Sequence, residues 1–337
     1  MSLILALMDK IKIIADSLAP EKEWQEACDQ CHHATYFHTP EWAHIFSAYL
    51  QGQMQPWPRK IVFKDGKIAI IPLSRISYFH GLFNQYVSSP AGTFGGWLSL
   101  QELSPGHLRE LVLYMQKHPN ITWRENPYDT GLRDIEIKAA RHDFTQAVDL
   151  CKGYDDIIRT TSRTHQKSVR RALRSGVSVR EADSREQWQR HFQGYLASRS
   201  RWEKGGGHKL TKGYSWGLFE ILFNARSSHC KLWLALCKGE IASSVVSFYW
   251  NRHAVAWHGG AFEEYFDVYP NHLLYQEMVR DAHEKGFHWF DFNTTGDLSG
   301  VASFKDQLGT QRISSRVLDK SSLSKKIART AKSIFFR

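Results

Sequence analysis

The chain has 337 residues, a net charge of +10, 42% hydrophobic residues, 12 tryptophans and 19 phenylalanines. That length suits about two domains, and that aromatic content supplies a substantial core, so global disorder is excluded. The charge is concentrated: six Arg/Lys and no acid lie between Arg159 and Arg174, six more and no acid between Lys320 and Arg337, and the remainder is close to neutral. Two cationic patches on a neutral body point to a polyanionic partner.

The apolar run Leu3–Met8 is followed by Asp9 and Lys10, too short for a membrane span and without the charged start of a signal peptide. Five cysteines without regular spacing suit a reducing compartment. The expectation is a soluble, cytoplasmic protein. Cys28-Asp29-Gln30-Cys31-His32 matches a c-type haem attachment pattern, but no second Cys/His pair stands at metal-site spacing. It is read as a helix preceding a turn at Thr39-Pro40-Glu41-Trp42, with no metal.

Ile61 to Ile71 predicts two strands around an Asp65-Gly66 turn, then a helix over Ser104–Lys117 and a strand at Ile121–Asn126. The cations between Arg159 and Arg174 fall largely on one helical face and predict a helix joining the two halves. Ser184 with Gln187 forms a capping-box pattern opening a helix to about Ser200. Gly205-Gly206-Gly207 reads as a flexible surface loop in preference to a lid. Cys230–Cys237 is apolar on both parities, as in a central strand, and leads through Lys238-Gly239 into a second hairpin.

A helix over His272–Lys285 follows, with Asn271 as its cap, Leu274, Met278 and Ala282 on one face, and Gly286 at its end. The strand Phe287–Phe292 completes a strand-hairpin-helix-strand order already seen in the first half. The chain therefore reads as a duplicated α/β domain. Segment Gly296–Gly309 opens after that strand, where glycines let backbone approach a ligand and Lys305 stands beside Phe304. On residue type alone Lys305 reads as an exposed surface lysine. No phosphate-binding glycine loop and no Gly-x-Ser-x-Gly elbow is present.

Tyr269-Pro270-Asn271-His272-Leu273-Leu274, Ala282-x-x-x-Gly286, Phe290-Asp291-Phe292 and Gly300-x-x-x-Phe304-Lys305-x-x-x-Gly309 together resemble the C-terminal pattern of FemAB-like proteins. These form a branch of the GNAT acyltransferase superfamily, and the pattern is similar also to the BioF2-like acetyltransferase domain. Phe144–Leu150 with the basic stretch to Val179 resembles the family's inter-domain region, and Ser89-Pro90 through Gly95-Gly96-Trp97 its first-domain cleft. The resemblance covers most of residues 22–318.

It implies an α/β fold of twin GNAT-like domains, each a mixed central sheet flanked by helices: an extension over 1–20, a first domain over 21–155, a basic linker over 156–180, a second domain over 181–318 and a basic tail over 319–337. It implies an N-acyltransferase that passes an aminoacyl or acyl group to an amine of a cell-envelope precursor, with no tightly bound cofactor. The donor would be aminoacyl-tRNA or acyl-CoA. Lys305 is the implied contact to a donor phosphate or oxyanion. Asp291 and His258 are candidate bases, though each also suits a structural residue. Phe304, Asn271 and Trp257 are expected at the substrate, and Arg170, Arg171 and Arg174 at a polyanion.

The chain departs from the wider superfamily at the turn before Leu273, which lacks the glycines that grip coenzyme A pyrophosphate. An acyl-CoA-dependent enzyme acting on an amino sugar or lipid, and a non-catalytic RNA- or membrane-surface-binding protein, remain alternatives. In the tail, Leu323, Ile327, Ala331, Ile334 and Phe335 share one face opposite the cations. That suits either a helix lying on an anionic membrane beside a lipid-linked acceptor or a solvated terminus.

Overall fold

The computed structural model describes residues 11–204, 213–295 and 299–320. The expectations for Leu3–Met8, Gly205–Gly207 and the tail beyond Lys320 lie outside the described residues. The chain divides into two compact units, one of residues up to Asp143 together with those from Ser314 onward, the other Phe144–Ile313.

The first unit runs β1 (Ile13–Leu18), α1 (Glu21–Gln30), α2 (Pro40–Tyr49), β2 (Met54–Pro56), β3 (Arg59–Phe63), β4 (Ile68–Ile71), β5 (Ser74–Tyr78), β6 (Phe83–Val87), α3 (Pro105–Lys117) and β7 (Ile121–Arg124). Thr39 does not form a turn but starts α2: its hydroxyl accepts the Trp42 N–H at 3.2 Å and Pro40 takes the first helical position. The β3–β4 hairpin turns at Gly66, whose φ of +86° a side chain would resist, and joins β1 in a three-stranded antiparallel sheet. β2, β5 and β6 form a separate antiparallel ladder, to which β7 adds in parallel after the α3 crossover. Ile61, Phe63, Ile71, Leu111, Met115 and Trp123 are buried together, so α3 closes the core over both sheets.

The chain continues as β8 (Arg141–Asp149), α4 (Tyr154–Thr160), α5 (Arg163–Arg174), β9 (Val177–Glu181), α6 (Arg185–Lys204), α7 (Trp216–Ala225), β10 (Cys230–Cys237), β11 (Glu240–Trp250), β12 (His253–Ala261), α8 (Pro270–Glu284), β13 (Trp289–Thr294), α9 (Ser299–Asp306) and β14 (Gln311–Asp319). In the second unit the strands lie in the order β8-β13-β12-β11-β10-β9, with β12 and β13 parallel and the rest antiparallel. Leu232, Trp233, Leu234 and Ala235 of β10 are all buried, because β10 lies between β9 and β11 with both faces covered.

Each unit is mixed α/β, and each has a parallel pair joined by a helix: β6-α3-β7 and β12-α8-β13. The hairpins that look alike in sequence are placed differently. β10–β11 is part of the second unit's main sheet, whereas β3–β4 stands in a small sheet of its own.

Two further expectations are corrected. The basic helix α5 is no free linker, since its Val169 and Ala172 are buried in the second unit's core with Leu273 and Met278. Residues from Ser314 belong to the first unit: β14 pairs with β7, and Arg316 grips the buried Glu125 through Nε at 2.7 Å and Nη2 at 2.5 Å. The local sequence pattern of β14 carries no trace of which strand it pairs with.

Candidate active site

The cavity of the second unit opens where two parallel strands part. β12 and β13 are paired only from His253–Val255 against Trp289–Asp291. Beyond that point β12 carries a bulge: Val246 faces His258 and Ser247 faces Ala256, so Trp257 is the extra residue. β13 loses its own register with β8 between Asp291 and Thr294, and Asn293 there adopts φ +62°. The result is a cavity of about 420 Å³, with Trp257, His258, Asn271, Phe304 and Lys305 among its lining residues. Gly260 allows α6 to close the far wall, since a Cβ there would stand 2.6 Å from the Tyr195 amide nitrogen and 2.8 Å from the Gly194 carbonyl carbon.

Lys305, read from residue type as exposed, is 6% exposed. α9 carries it inward, and its Nζ donates to the Asn293 carbonyl at 2.7 Å and the Thr295 hydroxyl at 2.9 Å. Two of its three N–H donors are thereby used, and the third remains for a group in the cavity. Burial lowers its pKa from 10.5 to about 8, and the charge of Asp291 opposes that fall. Thr295 in turn donates to Gln146 Oε1 at 3.2 Å, which leaves its oxygen turned to the lysine.

Asp291 is fully buried and is not part of the cavity lining. Its carboxylate accepts from the Thr145 hydroxyl, from the Asn293 N–H at 2.6 Å and faces His253 Nε2 at 3.2 Å. It therefore braces the Asn293 bend whose carbonyl holds Lys305. His258 does reach the cavity, inside a cage formed by Tyr195, Tyr214, Trp257 and Phe219 with ring centroids 4.7 to 6.0 Å away. Burial lowers its pKa to about 4, so it is a neutral imidazole at pH 7.

Asn271 lines the cavity from the second residue of α8 and does not cap it. The cap position is Tyr269, in the left-handed region at φ +52°, followed by Pro270 at the first helical position. Arg170, Arg171 and Arg174 are exposed on α5 and outside the cavity lining. Arg171 lies over the Tyr269 ring at 5.2 Å, which sets this basic face beside the start of α8. Between the two helices His165 and His272 meet Nδ1 to Nδ1 at 2.9 Å, and the His272 ring meets Phe304 edge-on at 5.0 Å. Burial holds both imidazoles near pKa 4, the His165 neighbour adding to the shift at His272.

Thr295, Asn293, Thr145 and Arg201 escaped the sequence reading. Asn293 alone carried a signal, as an asparagine at a strand end, where the left-handed conformation is common. Arg201 borders the cavity and donates to the Ala261 carbonyl at 2.9 Å. Among the described residues no group of three His, Cys, Asp or Glu side chains is arranged to hold a metal ion. Among them, too, no helix is long and apolar enough to cross a membrane.

Residues 159–306, which contain every element around this cavity, match the acetyltransferase (GNAT) domain family. That stretch of the chain is therefore a GNAT-type acetyltransferase domain. Over nearly its whole length it has the fold of the FemX crystal structure, with a TM-score of 0.65 at 14% identity over 93% of this chain and 99% of that one. It is similar also to the C-terminal DUF2156 domain of a putative lysylphosphatidylglycerol synthetase from Agrobacterium fabrum (TM-score 0.52, 11% identity, 94% and 96% covered). A conserved protein of unknown function from Bacteroides thetaiotaomicron shares the fold at a TM-score of 0.53 and 9% identity, with 90% and 98% covered. No curated protein matches the sequence.

Proposed function

We propose that the enzyme transfers an aminoacyl group from aminoacyl-tRNA to an amine of a cell-envelope precursor, in the cavity between β12 and β13. The observation that carries this reading is Lys305, a buried cation in the cavity lining with two of its three donors spent on fixing its position. An acceptor amine attacks the donor ester carbonyl, the C–N bond forms, and the C–O bond to the ribose breaks. Negative charge that develops on the carbonyl oxygen meets Lys305, and a held cation in a dry site is worth far more there than in water. The amine must lose a proton, and neutral His258 in the cavity wall supports its assignment as acceptor. Asp291 acts as a positioning residue through Asn293. Trp257 and Phe304 form apolar walls, and Asn271 offers a polar contact.

The tRNA donor is supported by α5, where Arg163, Lys167, Arg170, Arg171 and Arg174 are exposed and, among the described residues, in no ion pair. Pro270 at the start of α8 removes an N–H from the position where coenzyme A pyrophosphate would need one. The similarity to a putative lysylphosphatidylglycerol synthetase suits an acceptor that is lipid-linked. A second reading, an acyl-CoA-dependent N-acyltransferase, is favoured by the acetyltransferase domain match itself.

The test is binding of charged and uncharged tRNA across salt, with acyl-CoA thioesters alongside. Preference for charged tRNA supports the aminoacyl reading. Binding of acyl-CoA with indifference to tRNA charging overturns it in favour of the second. Binding of any RNA or anionic vesicle without transfer would leave a non-catalytic protein.

A further inference from the structure

The first unit contains a second cavity, of about 530 Å³, that the transfer reaction does not use. Cys31, His33 and Asp129 come together in its wall. Cys31 is the C-cap of α1, where the chain leaves the helix at φ −76° and ψ 111°, and is 5% exposed. Two residues on, His33 turns Nε2 back to within 3.3 Å of the Cys31 sulfur, 3.0 Å of the Trp97 carbonyl and 3.9 Å of Asp129 Oδ2. The Trp97 carbonyl can only accept, so Nε2 carries a proton. Asp129 is itself fixed by the Gly131 N–H at 3.1 Å, and the Asn126 amide donates to the His33 backbone carbonyl at 2.7 Å, so the carboxylate and the His33 backbone are each held in place.

We propose that Cys31, set against His33 and Asp129 in this cavity, is a nucleophilic thiol site that reacts with hydroperoxides and other soft electrophiles. The cluster and the cavity carry the inference, and the electrostatics agree with it. Burial opposes the thiolate, but the His33 hydrogen bond, its charge and the Ser99 backbone N–H outweigh it and lower the Cys31 pKa. Burial likewise opposes protonation of His33, yet the Cys31 hydrogen bond and the Asp129 charge raise its pKa to about 9. The other groups facing Cys31 are Cys28, one turn back on α1, with His32 and Glu102 in the cavity wall. Cys31 also sits at the negative end of a helix, which disfavours a thiolate by less than a charged hydrogen bond favours it.

The contrast within the chain is sharp. Cys28 is fully buried, donates to the His38 carbonyl at 3.1 Å, and has its pKa raised well above the ordinary value by burial and then by Cys31. Exposed Cys151 is shifted upward too, by burial and by Asp149. Among the cysteines, Cys31 combines an imidazole, a carboxylate beside the same ring nitrogen and a place in a cavity wall. With a hydroperoxide the Cys31 thiolate attacks one peroxide oxygen. An S–O bond forms, the O–O bond breaks, and the leaving oxygen takes the His33 proton, giving a sulfenic acid, an alcohol or water, and neutral imidazole. The sulfur is oxidised and the peroxide reduced, so the step balances.

The test uses the native full-length chain and iodoacetamide, with peptide mass mapping of each cysteine and Cys151 as internal reference. At pH 7, Cys31 is expected to label at least about tenfold faster than Cys151, with a pH profile that rises at lower pH. Hydrogen peroxide with dimedone should mark Cys31 as sulfenic acid and leave Cys151 unmarked. His33→Gln should slow Cys31 by about tenfold and leave Cys151 unchanged. Cys28 and Cys237, both buried, report folding of that variant by staying unlabelled. If they label, the wild-type pH profile alone decides. Labelling of Cys31 no faster than Cys151, or a rate unchanged in a folded His33→Gln variant, overturns the proposal. Acyl transfer is not read, so the result is independent of the function proposed above.

Discussion

Replacing Lys305 with methionine keeps the alkyl chain and removes the charge, so it separates what the cation does for transfer from what it costs the fold. A pKa that falls from 10.5 to about 8 on folding corresponds to about 3 kcal/mol of cost in burying the cation. Methionine recovers that amount, but leaves the Asn293 carbonyl and Thr295 hydroxyl without their donor, a loss of about 1–3 kcal/mol for each that stays dry. The two effects nearly offset, and at pH 7 stability should stay within about 2 kcal/mol of wild type, read from urea denaturation. The sign with pH follows from the lowered pKa. Between pH 8 and 10.5 the unfolded chain binds more protons than the folded one, so wild-type stability from this group rises with pH across that window. Methionine lacks that rise, and the variant should become the less stable protein by about pH 10. Transfer of a labelled aminoacyl group to an amine should fall by about 10²–10³ in rate, the effect of removing one oxyanion donor. A variant that transfers at the wild-type rate, or that loses more than about 4 kcal/mol at pH 7, would refute the assignment of Lys305 to the reaction.

Since the reaction needs the cationic form, wild-type transfer should decline as pH rises through about 8, and a pH–rate profile flat to pH 10 would remove that requirement. Neutralising Arg170, Arg171 and Arg174 together should weaken tRNA binding and reduce the slope of log affinity against log salt by about 2–3, measured by filter binding. Gly260→Ala forces a methyl against the α6 backbone at 2.6 Å, and should cost about 1–3 kcal/mol in urea denaturation with transfer reduced. His258→Phe keeps the aromatic cage filled and should lower the transfer rate by about 10²-fold without unfolding, a wild-type rate removing it as base.

Much of the fold was legible because the signals were local. Asp65-Gly66 and Lys238-Gly239 turn where expected, with positive φ at Gly66, Lys238 and Gly239. The 3.6-residue period of Leu274, Met278 and Ala282 marks the buried face of α8. Ser184 accepts the Gln187 N–H at 3.4 Å, although Gln187 returns its side chain to the Asp183 N–H instead of the cap. What stayed hidden depended on partners distant in sequence. A Thr-Pro-Glu-Trp run reads equally as a turn or as a cap with proline at the first helical position. The burial of Lys305 is set by Asn293, Thr295 and Gln146, which no pattern within α9 reports.

Asp291 shows why residue type and position were not enough to assign a role. A carboxylate at the end of a strand that borders a cavity has the sequence profile of a base. Here three donors already converge on it, and none of them comes from the cavity. Its value lies one step away. By accepting the Asn293 N–H it braces the bend at Asn293, whose own carbonyl faces Lys305, and its charge opposes the fall in the lysine's pKa. The lysine thus keeps enough basicity to remain a cation near neutral pH while being dry enough for that charge to act strongly. Asp291→Asn would retain the N–H contact through its amide oxygen and remove the charge, which moves the loss of activity to lower pH; the same rate at every pH would make Asp291 a packing residue only.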